Sequence, residues 1–181
     1  DLHEVLRADL ASASSTWARA LAETPSDLEL YAPLERLAAA RGAWPELAAL
    51  LETRLTAASG DPELEYAYAT RLASIYEDAL GDLERAAATL RRAAAVASDE
   101  RVPLAALDRV LARAGKWAEL AVVLQQEADA APDDARAAEL FFRMGDLRET
   151  SLADVAGAVA AYREVLTRAP KCPAGRAALE R

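Results

Sequence analysis

The residue types that most often carry chemistry are scarce in this chain. His3 is the only histidine and Cys172 the only cysteine. A thiolate nucleophile needs an imidazole close by, and these two stand at opposite ends of the sequence. A metal cage of histidines or cysteines lacks ligands for the same reason. Glu46 and Glu119 would serve as an acid/base pair only if burial drove their pKa values apart. Their surroundings place them on separate, exposed helical segments. No GxxxxGK[ST], GxGxxG, HExxH or CxxC motif occurs. The acidic stretches DPELEYAYA (61–69) and APDDARAAE (131–139) read as helix starts, because a calcium loop needs a different spacing and a glycine at its turn. The expectation is therefore a non-enzyme, with no catalytic residue, no cofactor and no metal assigned. What remains is recognition chemistry. Arginine grips carboxylates bidentately, as Arg36 and Arg109 would, and tyrosines offer apolar contact with a polar tip.

The elements that carry these residues are helical throughout. Ala and Leu dominate, with Arg and Glu between them, and these are strong helix formers. Apolar residues recur at helical spacing, as in Leu34, Leu37 and Ala38, then Leu47, Leu50, Leu51 and Leu55. No strand is expected. Asp9, Asp82 and Asp154 each precede an Ala-rich run, where an aspartate accepts bonds from the free N–H groups of a first turn. Pro25, Pro132 and Pro170 follow helical runs, and Gly42, Gly81 and Gly115 separate them. Helices are predicted near 2–7, 10–23, 27–41, 45–58, 62–80, 83–97, 100–114, 117–130, 134–151, 155–168 and 173–181.

Composition narrows the class. The 181 residues are 53% hydrophobic and 28% charged, with 7 Gly and 8 Pro, which excludes a collagen-like or disordered chain. No apolar run is long enough to span a bilayer. A net charge of −9 disfavours nucleic acid and anionic membranes, which reward a basic face, and suits a partner with a basic surface. The chain begins DLHEVLRADL, without Met or a signal-like segment. A processed chain, or a piece of a longer one, is expected, which leaves the compartment open: cytoplasmic if the parent has no signal sequence.

Spacing is the most informative feature. Asp9, Asp82 and Asp154 recur at offsets of 73 and 72 residues, as do Trp17, Leu90 and Tyr162, and Ala13, Ala86 and Ala158. Between them LERLAAARGAWPELAALL (34–51) overlays LDRVLARAGKWAELAVVL (107–124) without a gap. Leu34/Leu107, Arg36/Arg109, Gly42/Gly115, Trp44/Trp117, Glu46/Glu119, Leu47/Leu120 and Leu51/Leu124 coincide. The chain is thus a repeat of two alternating kinds of helical hairpin. One array over 1–181 is expected, with a hairpin at 1–25 whose first helix is partial, hairpins at 26–59, 60–98, 99–132 and 133–170, and at 171–181 the start of a further repeat or a capping helix. A lone hairpin cannot bury its apolar face, so neighbours must stack.

These residues resemble the tetratricopeptide (TPR) repeat family. GAW (42–44) and GKW (115–117) match its turn, Ala86 with Leu90 and Ala158 with Tyr162 its second-helix pair, and Pro132 and Pro170 its closing proline. Leu47 and Leu120 depart from it, standing where Ala is usual, and the hairpins run about two residues long. The style is that of long bacterial multi-repeat arrays. The resemblance implies an all-α, right-handed superhelical solenoid of stacked antiparallel hairpins. It also implies a concave groove, lined by the first helices, that holds a peptide or protein. Mapped onto this chain, groove candidates are Arg36, Arg109, Tyr31, Thr70, Ser74, Glu77, Phe142, Asp146 and Glu149. Trp17, Trp44, Trp117, Leu90 and Tyr162 are expected in the core, as are at least half of Tyr31, Tyr66, Tyr68 and Tyr76. The function implied is a non-catalytic interaction scaffold. The alternatives are a passive or end-to-end self-stacking spacer in a longer multi-repeat protein, and a regulatory region of a parent enzyme.

Overall fold

The computed structural model describes Arg19 and residues 31–180. The expectations for His3, Asp9, Ala13, Trp17 and Pro25 lie outside the described residues. Among the described residues the structure is helical, without strands. The helices are α1 (Tyr31–Arg41), α2 (Trp44–Ala57), α3 (Pro62–Ser74), α4 (Leu83–Val96), α5 (Arg101–Ala114), α6 (Trp117–Asp129), α7 (Asp134–Thr150), α8 (Val155–Arg168) and α9 (Pro173–Glu180). These agree with the sequence-based helices to within a few residues. One irregularity was not foreseen: α3 continues into a π-helical turn, Ile75–Ala79.

Local chemistry explains where the helices start and stop. Asp61, Asp82, Asp133 and Asp154 each accept a hydrogen bond from the backbone N–H three residues on, that of Leu64 (3.1 Å), Arg85 (3.0 Å), Arg136 (2.8 Å) and Gly157 (2.9 Å). Each satisfies a donor that its helix leaves unpaired. Gly42 and Gly115 turn the chain between paired helices with the same φ of +67°, a region open to glycine at little cost.

The chain divides into two compact units, residues 1–97 and 98–181. In the first, α1 packs on α2, α2 on α3 and α3 on α4, giving two successive helical hairpins. Its core holds Leu34, Leu47, Leu51, Tyr68, Leu72 and Leu90. Ala69, Ala73, Ala86 and Ala93 are also buried, and such small side chains let helix axes approach closely. In the second unit α5 to α9 pack in the same sequential way, around Leu104, Leu107, Leu111, Leu120, Leu124, Leu140, Phe141, Tyr162 and Val165. Repeat-equivalent residues take equivalent burial: Leu34 with Leu107, Leu47 with Leu120, Leu51 with Leu124, and Ala86 with Ala158.

Candidate functional site

The first helix of each hairpin buries one stripe and exposes another. On α1 and α3, Leu34, Leu72 and Ala73 face inward, while Arg36, Thr70 and Ser74 are exposed. On α5 and α7, Leu107, Leu140 and Met144 face inward, while Arg109 and Asp146 are exposed. The hydroxyls of Thr70 and Ser74 donate to the carbonyls of Tyr66 (2.8 Å) and Arg71 (2.9 Å) on their own helix. Phe142 is half-buried and packs against Tyr162, with ring centroids 5.6 Å apart. Glu149 is half-buried, and its Oε2 accepts a 2.8 Å bond from the Tyr162 hydroxyl.

Two of the nine groove candidates are buried instead. Tyr31 is 0% exposed and meets Tyr68 edge-on, centroids 5.6 Å apart, with the Arg71 guanidinium 5.0 Å from its ring. Burial, with Tyr68 beside it, pushes its phenol far above the usual tyrosine range. The apolar body of the ring outweighs its polar tip here. Glu77 is 4% exposed. It lies one helical turn beyond buried Ala73 and so falls on the inward stripe. The tryptophans depart the other way. Trp44 is half-buried and Trp117 is 38% exposed. Each opens the second helix of its hairpin, and the Trp117 indole lies over the turn at Gly115.

An ion pair that sequence reasoning missed ties neighbouring first helices in each unit. Arg71 Nε bonds Glu35 Oε1 at 2.9 Å between α3 and α1. Arg143 grips both oxygens of Asp108, at 2.8 and 3.0 Å, between α7 and α5. The signal was present: Glu35 and Asp108 are 73 residues apart, Arg71 and Arg143 are 72. Each pairing joins one frame to the other, so neither frame alone reveals it.

Among the clefts of the described residues, two take in first-helix candidates. In the first unit, one of ≈ 460 Å³ is lined by Glu35, Trp44, Ser74, Ile75, Asp78 and Ala79. In the second, a mainly apolar cleft of ≈ 510 Å³ has Phe142, Val165, Ala169, Cys172 and Ala174 in its lining. Of the sequence-based candidates, the first cleft includes Ser74 and the second Phe142. Among the described residues no cluster of three or more His, Cys, Asp or Glu could hold a metal ion.

Comparison with known proteins places this architecture. Residues 67–103, from within α3 through α4 to the start of α5, match the tetratricopeptide repeat family model. That stretch, about the length of one hairpin, is similar to a single tetratricopeptide repeat. No curated protein sequence matches it. Solved structures with a similar course include MamA (14% identity, 78% of each chain covered, TM-score 0.47). BtubC from P. vanneervenii is another (19% identity, 91% of this chain and 72% of that one, TM-score 0.45). A third is TTC0263, a thermophilic TPR protein of Thermus thermophilus (22% identity, 99% and 93%, TM-score 0.41).

Proposed function

We propose that the chain is a non-catalytic module whose first helices, α1, α3, α5 and α7, receive a peptide or protein segment. One observation carries the reading. Arg36 and Thr70 in the first unit, and Arg109 and Phe142 in the second, occupy repeat-equivalent places that all reach the surface, beside leucines that do not. Ser74, Asp146 and Glu149 extend this face. Arg36, Thr70, Arg109 and Asp146, kept outward on successive first helices, supply recognition chemistry that packing does not require. The acidic balance of the chain favours a partner with a basic surface over nucleic acid. Among the described residues no helix is long and apolar enough to cross a membrane. The reading includes a single array, since the 73-residue offset runs across the border between the two units.

Selection from a random-peptide display library tests this reading. The full chain is expected to enrich peptides. Arg36→Ala combined with Arg109→Ala should then weaken the enriched peptides about tenfold, with an unchanged melting temperature. Unaltered affinity would remove the arginines from the site, and failure to enrich any peptide would remove the groove.

A further inference from the structure

We infer that the cleft in the first unit is a subsite for a lysine or arginine side chain of the bound segment. The inference rests on the interaction reading above and names the chemistry of one contact. The polar groups left over in this cleft are chiefly acceptors. Glu35 Oε1 is engaged by Arg71 at 2.9 Å, which leaves the other carboxylate oxygen. The Ser74 hydroxyl spends its proton on the Arg71 carbonyl, which leaves its lone pairs. Asp78 is exposed and forms no ion pair among the described residues. Because Glu35 is balanced by Arg71, Asp78 supplies the uncompensated negative charge. Trp44 adds an aromatic wall, and indole is the best of the side-chain rings at attracting a cation. Ile75 and Ala79 offer apolar surface for the methylene stem on which lysine or arginine carries its charge. A carboxylate entering the same space would meet two carboxylates.

An independent observation comes from the second unit. At the repeat-equivalent positions it carries Asp108, Trp117, Asp146 and Thr150. The hydroxyl and carboxylate of the last helical turn have changed places: Ser74 and Asp78 in one unit, Asp146 and Thr150 in the other. Asp108 engages Arg143 as Glu35 engages Arg71, and Trp117, Asp146 and Thr150 are all exposed. Packing makes no demand for one carboxylate and one hydroxyl at these exposed positions of the last turn. Recurrence of the set in exchanged order fits a contact whose chemistry matters more than its register.

Titration of the full chain with a nonalysine peptide, followed by the indole N–H resonance of Trp44 (assigned with Trp44→Phe), tests the inference. The resonance is expected to shift on titration. Asp78→Asn should weaken binding about fivefold, whereas Glu63→Gln, which removes an exposed charge at the far end of α3, should not. A nonaglutamate peptide should leave the resonance unmoved. No shift at Trp44 up to about 1 mM peptide, or equal losses from Asp78→Asn and Glu63→Gln, would overturn the subsite and leave only diffuse attraction to an acidic protein. The two readings fail separately. Enriched library peptides that bind Asp78→Asn undiminished keep the groove and sink the subsite. A Trp44 shift with no enriched peptide does the reverse.

Discussion

The two units build the same pair of hairpins with different side chains at matching places. In the first, Ala73 on α3 and Leu90 on α4, two helices that pack together, are both buried. In the second, the equivalent positions are Gly145 and Tyr162. A Cβ on Gly145 would lie 2.5–2.9 Å from the Tyr162 ring. The smaller residue on one helix accommodates the larger on the other. A second exchange involves charge. In the first unit Arg85 on α4 stacks over Tyr76, 5.5 Å from the ring centroid. In the second unit Arg148 stands at the tyrosine position and Gly157 at the arginine position, and Arg148 lies 3.9 Å from Asp154. A Cβ on Gly157 would run into the Asp154 carboxylate and the Arg148 guanidinium. A third exchange lies beside the shared ion pairs. Tyr31, Tyr68 and Arg54 in one unit correspond to Leu104, Leu140 and Glu127 in the other. The backbone frame is thus held by caps, turns and leucines, and the pairs across it are adjusted together. Close packing requires this, because a mismatch of one methyl group is felt.

The first exchange should give the largest effect when broken. Gly145→Ala gains helix propensity, yet drives a methyl group into a ring held by the Glu149 hydrogen bond and by Phe142. A net loss of about 2 kcal/mol is expected, within the range for overpacked cores. Adding Tyr162→Leu, which reproduces the first unit's solution, should recover most of it. Urea denaturation of the four members of this cycle measures the coupling. Additive losses would show that the two positions adjust independently.

The second effect comes from Glu127, whose equivalent in the first unit is Arg54. Glu127 is 7% exposed, and its Oε2 has no hydrogen-bond partner among the described residues. Burial raises its carboxyl pKa, and Asp108 adds to the rise, while Arg143 and Arg136 oppose it. A folded-state value above the unfolded one means the native state binds the extra proton between the two. Stability contributed by this group therefore falls as pH rises through that window, and at neutral pH the buried charge is a cost. Glu127→Gln should stabilise the protein at pH 7 by about 1 kcal/mol. The gain should vanish below the unfolded carboxylate's pKa. Thermal melts across pH check the sign: a variant that is less stable at neutral pH would mean that Arg143 and Arg136 more than offset the burial.

The helices, their caps and the pairing of the two frames were legible because each leaves a local mark. Asp82 and Asp154 precede helical runs, Gly42 and Gly115 sit in turns, and the leucine stripe has a period of 3.6. The exposed part of the first-helix face was legible through Arg36, Thr70 and Arg109, since a repeat position tells which way a helix looks. Repeat equivalence does not by itself separate a core residue from one at a rim, so it gave the wrong depth for Trp44 and Trp117. A tyrosine suits core and groove alike, and Tyr31 is settled by its neighbour Tyr68. The π-helical turn at Ile75–Ala79 has no local sequence mark. It brings Ile75, Asp78 and Ala79 to the cleft, so that cleft could not be assembled from periodicity.

The smallest effect isolates the backbone. Gly81 and Ala153 occupy the same repeat position, just before the capping aspartates Asp82 and Asp154. Both have positive φ, +66° and +53°. The chain around them is closed by the same bond: Asp82 N–H donates to the Tyr76 carbonyl, and Asp154 N–H to that of Arg148, each at 2.8 Å. Alanine in this region brings Cβ close to the carbonyl oxygen, a strain that glycine lacks. Glycine also gives up more freedom on folding, so the two contributions partly offset. A Cβ at Gly81 would meet nothing within 4 Å, so the dihedral alone separates the two residues there. Ala153→Gly should therefore stabilise the second unit, and Gly81→Ala destabilise the first, each by about 0.5 kcal/mol. Hydrogen exchange of the amides in α8 and α4 reads each unit separately. Changes of the same sign for the two substitutions would show that the shared turn geometry is not what fixes residue choice at this position.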